Sequence, residues 1–161
     1  MDGQDDKPTL RQVMGSYPTG VTIVSTVDSG GDPLGLTVNS FTSLSLDPPL
    51  VLVCIGRSSR SHDWLVGGTH FSVNILSAEQ SDVALRFAKA PAEGRFDAAP
   101  WHVGASGCPV FDDATASLEC SVHSVLDGGD HSILVGEVVE AVLHDRPALI
   151  YTRGRFSSLD A

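Results

Sequence analysis

Three short stretches carry the residue types that could do chemistry. Gly35–Cys54 reads GLTVNSFTSLSLDPPLVLVC and gathers Thr37, Asn39, Ser40, Thr42, Ser43 and Ser45 close together. Such side chains offer compact donors and acceptors and tolerate backbone turns. They suit a surface that holds a flat, polar-edged ring against a sheet; on composition alone the simpler reading is a Ser/Thr-rich edge strand. Gly56-Arg57-Ser58-Ser59-Arg60-Ser61 follows, directly before a helix expected over His62–Val66 with Ser61 as its N-cap. Free N–H groups at a helix start favour an anion, so this loop reads either as a phosphate pocket or as a capped surface loop with solvated arginines. In Gly129-Asp130-His131 an imidazole stands where the chain leaves a tight turn for a strand. A lone turn histidine is as a rule structural or solvated, and Asp130 either orients it or merely favours the turn.

Several chemistries lack their motifs. There is no G-x-S-x-G elbow, no H-E-x-x-H, and no G-x-G-x-x-G following a strand, so a hydrolase nucleophile, a zinc site and a Rossmann dinucleotide domain are unsupported. Cys54, Cys108 and Cys120 are odd in number and have no CxxC spacing, which argues against a metal framework or a disulfide scaffold. Cys54 and Cys120 lie in apolar runs and read as buried small hydrophobes, consistent with a reducing cytoplasm. The 20 acidic against 10 basic residues give a charge of -10, which disfavours nucleic acid or an anionic membrane as a partner. Any bound phosphate must meet a local pocket of donors. The polar opening Met1–Pro8 has no apolar run behind it, so no leader peptide is expected. Leu50–Ile55 is too short to span a membrane.

The elements that must position these residues are mostly strands. A short helix capped by Thr9 places Leu10, Val13, Met14 and Tyr17 on one face. Val21–Val27 and Pro33–Phe41 form strands joined by a turn at Ser29-Gly30-Gly31-Asp32. Leu50–Ile55, apolar at every position, predicts a central strand covered on both faces. His70–Leu76 is a strand, and Ser77 with Gln80 forms a capping box for a helix running to about Lys89, with Val83, Ala84 and Phe87 inward. Ala90–Pro100 reads as a loop around Arg95 and Phe96, and Trp101–Val110 as irregular. Ala114–Leu126 alternates, turning Ala116, Leu118, Cys120 and Val122 inward and Ser117, Glu119 and His123 outward. His131–Leu143 is a long strand in which Gly136 marks a bulge or a close backbone approach. Ala148–Thr152 is the last core strand. The 161 residues carry no repeat; a loose terminus over 1–8 and one domain over 9–161 are expected. Hairpin order with few helices points to a mainly β protein, a closed or split antiparallel barrel.

Thr37–Ile55, TVNSFTSLSLDPPLVLVCI, resembles the signature of the flavin reductase family, small reductases that feed reduced flavin to two-component monooxygenases. The likeness continues through Ser61, Phe71–Leu76, Phe87-Ala88, Arg95-Phe96, Leu118-Glu119-Cys120, Gly129-Asp130-His131 and Gly136-Glu137-Val138, from about Met14 to Leu159. It implies an antiparallel Greek-key split β-barrel and a homodimer. It further implies NAD(P)H-dependent reduction of FMN or FAD, and delivery of reduced flavin to a separate monooxygenase. Hydride transfer needs no side-chain acid, base or nucleophile, because the cofactors carry the reaction. By the same resemblance Thr37, Val38, Asn39 and Ser40 border the flavin ring, and Cys54, Ile55 and Gly56 follow the ring or ribityl chain. Ser58, Ser59 and Ser61 meet the phosphate, with Arg57 or Arg60 adding charge. Phe87 and Arg95 lie at the flavin's outer part, and His131 lies beside the nicotinamide. The rival readings are a non-catalytic flavin-binding redox module, an oxidase of the pyridoxamine-phosphate oxidase group, and a plain structural barrel.

Overall fold

The computed structural model describes residues 7–159. Most of the expected loose terminus therefore lies outside the described residues; Lys7 and Pro8 are exposed and irregular. Helix α1 (Leu10–Gly15) begins at Thr9, which forms a reciprocal capping box with Gln12. Strand β1 (Thr19–Gly20) leads into β2 (Thr22–Val27) and β3 (Pro33–Val38), a hairpin whose turn places Gly31 at φ 86°. After Asn39-Ser40 come β4 (Phe41–Leu46) and β5 (Pro49–Gly56), a second hairpin. Helix α2 (His62–Gly67), β6 (His70–Ile75) and helix α3 (Ser81–Lys89) follow, the last entered through the Ser77–Gln80 capping box. A short hairpin, β7 (Trp101–Val103) and β8 (Pro109–Phe111), precedes the long pair β9 (Ala116–Gly128) and β10 (His131–Leu143). The end strands β11 (Leu149–Thr152) and β12 (Arg155–Ser158) pair with each other and with β1.

The main sheet has the antiparallel order β3-β2-β6-β9-β10-β5-β4. Its two edge strands, β3 and β4, are consecutive in the chain and joined by only two residues. A flat sheet of seven strands would separate those edges by about 29 Å, whereas this link reaches about 11 Å. The sheet must therefore curl until its edges meet at Asn39-Ser40, which is the split barrel. The Ser40 hydroxyl donates to the Cys54 carbonyl at 3.0 Å, and the Cys54 N–H donates to the Ser40 carbonyl at 3.1 Å, fixing the seam.

One core fills the barrel, around Val24, Val53, Ile55, Phe71, Val73, Cys120 and Leu134. A second lies between the sheet and α3, around Ile23, Leu76, Ala84, Phe87, Phe111 and Leu149. Because β2 contributes to both cores, it is covered on two faces, as is β6, where Phe71–Asn74 are all buried. The expectation for Leu50–Ile55 is corrected accordingly. Val51, Val53 and Ile55 are buried, but Leu50, Leu52 and Cys54 face an outer side that is only partly covered. Cys54 is thus half-buried, while Cys108 and Cys120 are buried; all three are free thiols.

Two further expectations change for one reason. Trp101–Val110 is a regular hairpin, and it packs over the face of β9 from which Ser117 and Glu119 project, burying both. The Glu119 carboxylate accepts from the Ala105 N–H at 3.2 Å, the Ser106 N–H at 2.6 Å and the Ser106 hydroxyl. Ser117 donates to Asn74 Oδ1 at 2.8 Å. Gly136 meets both of its alternatives: a bulge lies between Val135 and Gly136, and an added Cβ would strike the Phe71 ring. Among the described residues no helix is long and apolar enough to cross a membrane.

Candidate functional site

A cleft of about 420 Å³ opens where β3, the loop after β5 and the C-terminal half of α3 converge. Pro33–Thr37 form its floor, Ser58–Ser61 one rim, and Phe87, Arg95 and Phe96 the other. This volume falls in the usual range of small-molecule sites. Gly35 lets the floor approach the rim. A Cβ there would sit 3.0 Å from Ser25 Oγ, 3.1 Å from Phe87 and 3.2 Å from Phe96. Phe96 packs edge-on against Phe87, with ring centroids 4.9 Å apart, and stacks on Phe111 at 5.8 Å. The aromatic rim is therefore held by the second core.

The opposite rim is a tight loop. The Ser59 N–H bonds the Gly56 carbonyl, the Ser61 N–H bonds Ser59 Oγ at 3.2 Å, and the His62 N–H bonds the Ser59 carbonyl. Ser61 stands at the helix start but makes no side-chain cap bond, contrary to the sequence expectation. Its own backbone is already near-helical, with φ -85° and ψ -7°, which turns the hydroxyl away from the first-turn amides. The residue is 4% exposed and lines the cleft.

Charge at the cleft comes from two arginines. Arg95 is held by carbonyls: Nε and Nη2 donate to Ala90 O at 2.9 and 2.6 Å, and Nη1 donates to Gly35 O at 3.1 Å. It staples the loop after α3 to the cleft floor. Burial first, and then the like charge of Arg60, lower the Arg95 pKa below its ordinary value. Arg60 lines the cleft and is exposed. Arg57 does not line it. Its guanidinium donates to Gly129 O at 3.0 Å and to Asp127 Oδ1 at 2.7 Å, on the turn between β9 and β10.

The structure divides the ring-bordering candidates. The Thr37 hydroxyl faces α3 and donates to Ala84 O at 2.6 Å, on the cleft side. Val38 and Ile55 are buried in the barrel core and present only backbone. Asn39, Ser40 and Cys54 line a separate depression of about 640 Å³, shared with Met14, Tyr17 and Leu52. Thr42, Ser43 and Ser45 belong to the edge strand β4, as the simpler reading held. Gly56 pairs across the sheet with His131 and leaves room beside its ring: a Cβ on Gly56 would lie 3.7 Å from His131 Nε2. His131 Nδ1 meets Asp130 Oδ1 at 2.7 Å. A carboxylate only accepts, so Nδ1 carries the proton and Nε2 is left open. That 2.7 Å contact orients the imidazole, and the same hydrogen bond lowers the pKa of Asp130.

Sequence reasoning missed Gly35 and Phe96 as cleft residues. A glycine inside a strand, the signal already read at Gly136, was available for Gly35. Among the described residues no cluster of side chains suited to a metal ion occurs.

The family described as "Flavin reductase like domain" matches residues 14–160. A "Probable flavin reductase" of Rhizobium meliloti is 44% identical over 94% of this chain, which spans about half of that relative, 48% of its length. A "Flavin-dependent monooxygenase, reductase subunit HsaB" of Mycobacterium tuberculosis is 38% identical, over 99% of this chain and 86% of its own. Among solved structures, the Streptomyces globisporus NADH:FAD oxidoreductase SgcE6 in complex with NAD and FAD fragments superposes with a TM-score of 0.88. It shares 41% identity over 94% of this chain and 91% of its own.

Proposed function

Because this chain belongs to the flavin reductase family, we propose that it is an NAD(P)H:flavin oxidoreductase that supplies reduced FMN or FAD to a separate monooxygenase. A hydride and its electron pair pass from the reduced nicotinamide to the oxidised flavin, a proton completes the reduced flavin, and the oxidised nicotinamide leaves. The observation that carries the reading is the cleft itself. One rim offers Ser58, Ser59, the buried Ser61 and Arg60 to a phosphate, and the other offers the Phe87–Phe96 wall to an apolar ring edge. The residues present thus fit a phosphorylated aromatic substrate. Arg95 adds positive potential while holding the loop, and the glycine at position 35 keeps the floor low.

The protein's part is to bind, align and exclude water, which is all that hydride transfer asks of it. Thr37–Ser40 carries the chain from the cleft floor to the separate seam depression that Asn39, Ser40 and Cys54 line, and His131 faces the nicotinamide with Nε2 free to donate or accept according to its charge. The single domain over 9–161 works as a homodimer in the cytoplasm. Leu10, Val13, Met14 and Tyr17 support dimerisation, because all four are apolar side chains more than half exposed, and Met14 and Tyr17 line the seam depression. Sedimentation of Val13→Glu, giving monomers where the parent gives dimers, tests that face.

Anaerobic titration with each nicotinamide and each flavin tests the activity. Loss of the oxidised flavin's visible absorbance in step with nicotinamide consumption is the expected result. Flavin binding without turnover would instead assign the chain to the non-catalytic redox modules.

A further inference from the structure

Building on the reading above, we propose that Arg57 is a positioning residue for His131 and not a phosphate ligand. Its side chain forms a two-pronged contact with the β9–β10 turn, Nε to the Gly129 carbonyl at 3.0 Å and Nη2 to Asp127 Oδ1 at 2.7 Å. Its backbone N–H adds a third bond, to the Asp130 carbonyl at 3.0 Å. The planar guanidinium suits such a fork, and a lysine ammonium does not. Asp130 then bonds the His131 ring. One residue therefore holds the Gly129 and Asp130 carbonyls, the two that flank Asp130.

The turn needs such a tie. Gly128 and Gly129 supply little conformational restraint, and Gly129 sits at φ 77°. Beyond His131 the strand is anchored from the opposite direction. Ser132 Oγ meets His62 Nε2 at 2.9 Å, and both residues are buried. The loop carrying Ser58–Ser61 is thus fastened at its two ends, Arg57 and His62, to the residues on either side of His131. The phosphate rim and the nicotinamide-facing histidine form one unit. The Arg57–Asp127 pair is itself solvent-exposed, with 46% and 83% of the side chains accessible, so its removal changes global stability little. Its effect falls on the half-exposed imidazole.

The test compares Arg57→Ala, Arg60→Ala, His131→Ala and the Arg57/His131 double variant in steady-state flavin reduction, with FMN and riboflavin. Arg57→Ala should raise the nicotinamide KM by about five- to tenfold while leaving kcat within about twofold and the FMN-to-riboflavin preference unchanged. The double variant should be no worse than His131→Ala alone. Asp127→Asn, which keeps the accepting oxygen, should stay near the parent. An Arg57→Ala variant that loses FMN preference as Arg60→Ala does, or a double variant whose losses multiply, overturns the proposal. A second readout needs no turnover: the His131 ring carbon–proton NMR signals should shift in Arg57→Ala toward those of Asp130→Ala, with an unchanged Tm. Unmoved ring signals also overturn it. If the parent chain reduces no flavin yet those signals move, the activity reading fails and the positioning role stands.

Discussion

Replacing Arg60 by Ala asks whether the cleft recognises phosphate through that side chain. Arg60 is the clean choice of the two cleft arginines, because Arg95 spends its nitrogens on the Ala90, Pro91 and Gly35 carbonyls. Removing Arg95 would release the loop along with the charge. A unit charge pair at 4 Å is worth about 1 kcal/mol in bulk water and about 4 kcal/mol at the effective dielectric of a protein surface. Arg60 is exposed at the cleft rim, so the low end applies. Against a doubly charged phosphate the loss should be about 1.5–2.5 kcal/mol, roughly ten- to seventyfold in Kd. Riboflavin, which has the same ring and ribityl chain without the phosphate, should lose less than about twofold. The difference should shrink with salt, since an exposed ion pair is weakened by screening. Quenching of flavin fluorescence, titrated for FMN and riboflavin at low and high salt, measures all four constants. Equal losses for both flavins, or an FMN loss indifferent to salt, would refute the assignment of Arg60 to the phosphate.

Other outcomes follow from single contacts. Ser61→Ala removes a buried hydroxyl that makes no cap bond, so it should weaken FMN by roughly three- to tenfold, a neutral hydrogen bond's worth, with riboflavin and Tm unchanged by titration and calorimetry. Gly136→Ala would put a Cβ 2.8 Å from Cys120 Cβ and closer still to the Phe71 ring; overpacking of about 1–3 kcal/mol should lower Tm by roughly 3–10 °C in a thermal melt. The pKa of Asp130 is lowered in the folded chain by the His131 hydrogen bond, so the contribution of this contact is present above the unfolded Asp pKa and disappears as pH falls through the lower folded value. An NMR titration should show the Asp130 carboxyl carbon titrating below an unpaired Asp, and returning toward it in His131→Ala.

Much of the fold could be read from the chain because its signals are local. Glycine turns at Gly30-Gly31 and Gly128-Gly129 gave two hairpins, and the Ser77–Gln80 box gave the start of α3. What failed depended on distant covering. Alternation in Ala116–Val122 identifies two faces but not what is later laid over them. The β7–β8 hairpin covers the Ser117–Glu119 face, and a buried carboxylate with three donors is the result. The strand over Leu50–Ile55 looked doubly buried because apolar side chains on a partly covered face have the same sequence appearance as core. Of the candidate residues, Thr37, Ser58, Ser59, Ser61, Phe87 and Arg95 share one cleft, while Asn39, Ser40 and Cys54 line another depression, a division that the sequence does not reveal. Nothing in Gly56–Ser61 says that Arg57 turns back to the β9–β10 hairpin while Arg60 faces the cleft.

That division shows how a chain of net charge -10 gathers positive charge at one cleft. Among the described residues Arg60 faces the cleft without a carbonyl partner, and it stands across from Arg95, whose pKa is lowered first by burial and then by the like charge of Arg60. Two like charges on facing rims of one cleft repel each other, and an anion between them would relieve that repulsion. Under the proposed function, that repulsion would favour binding of a phosphate. The Arg95 carbonyl bonds keep that charge from swinging away to relieve itself. Arg57 has a carboxylate partner in Asp127 and no such demand. The backbone turn after Gly56 decides that Arg57, and not Arg60, meets Asp127.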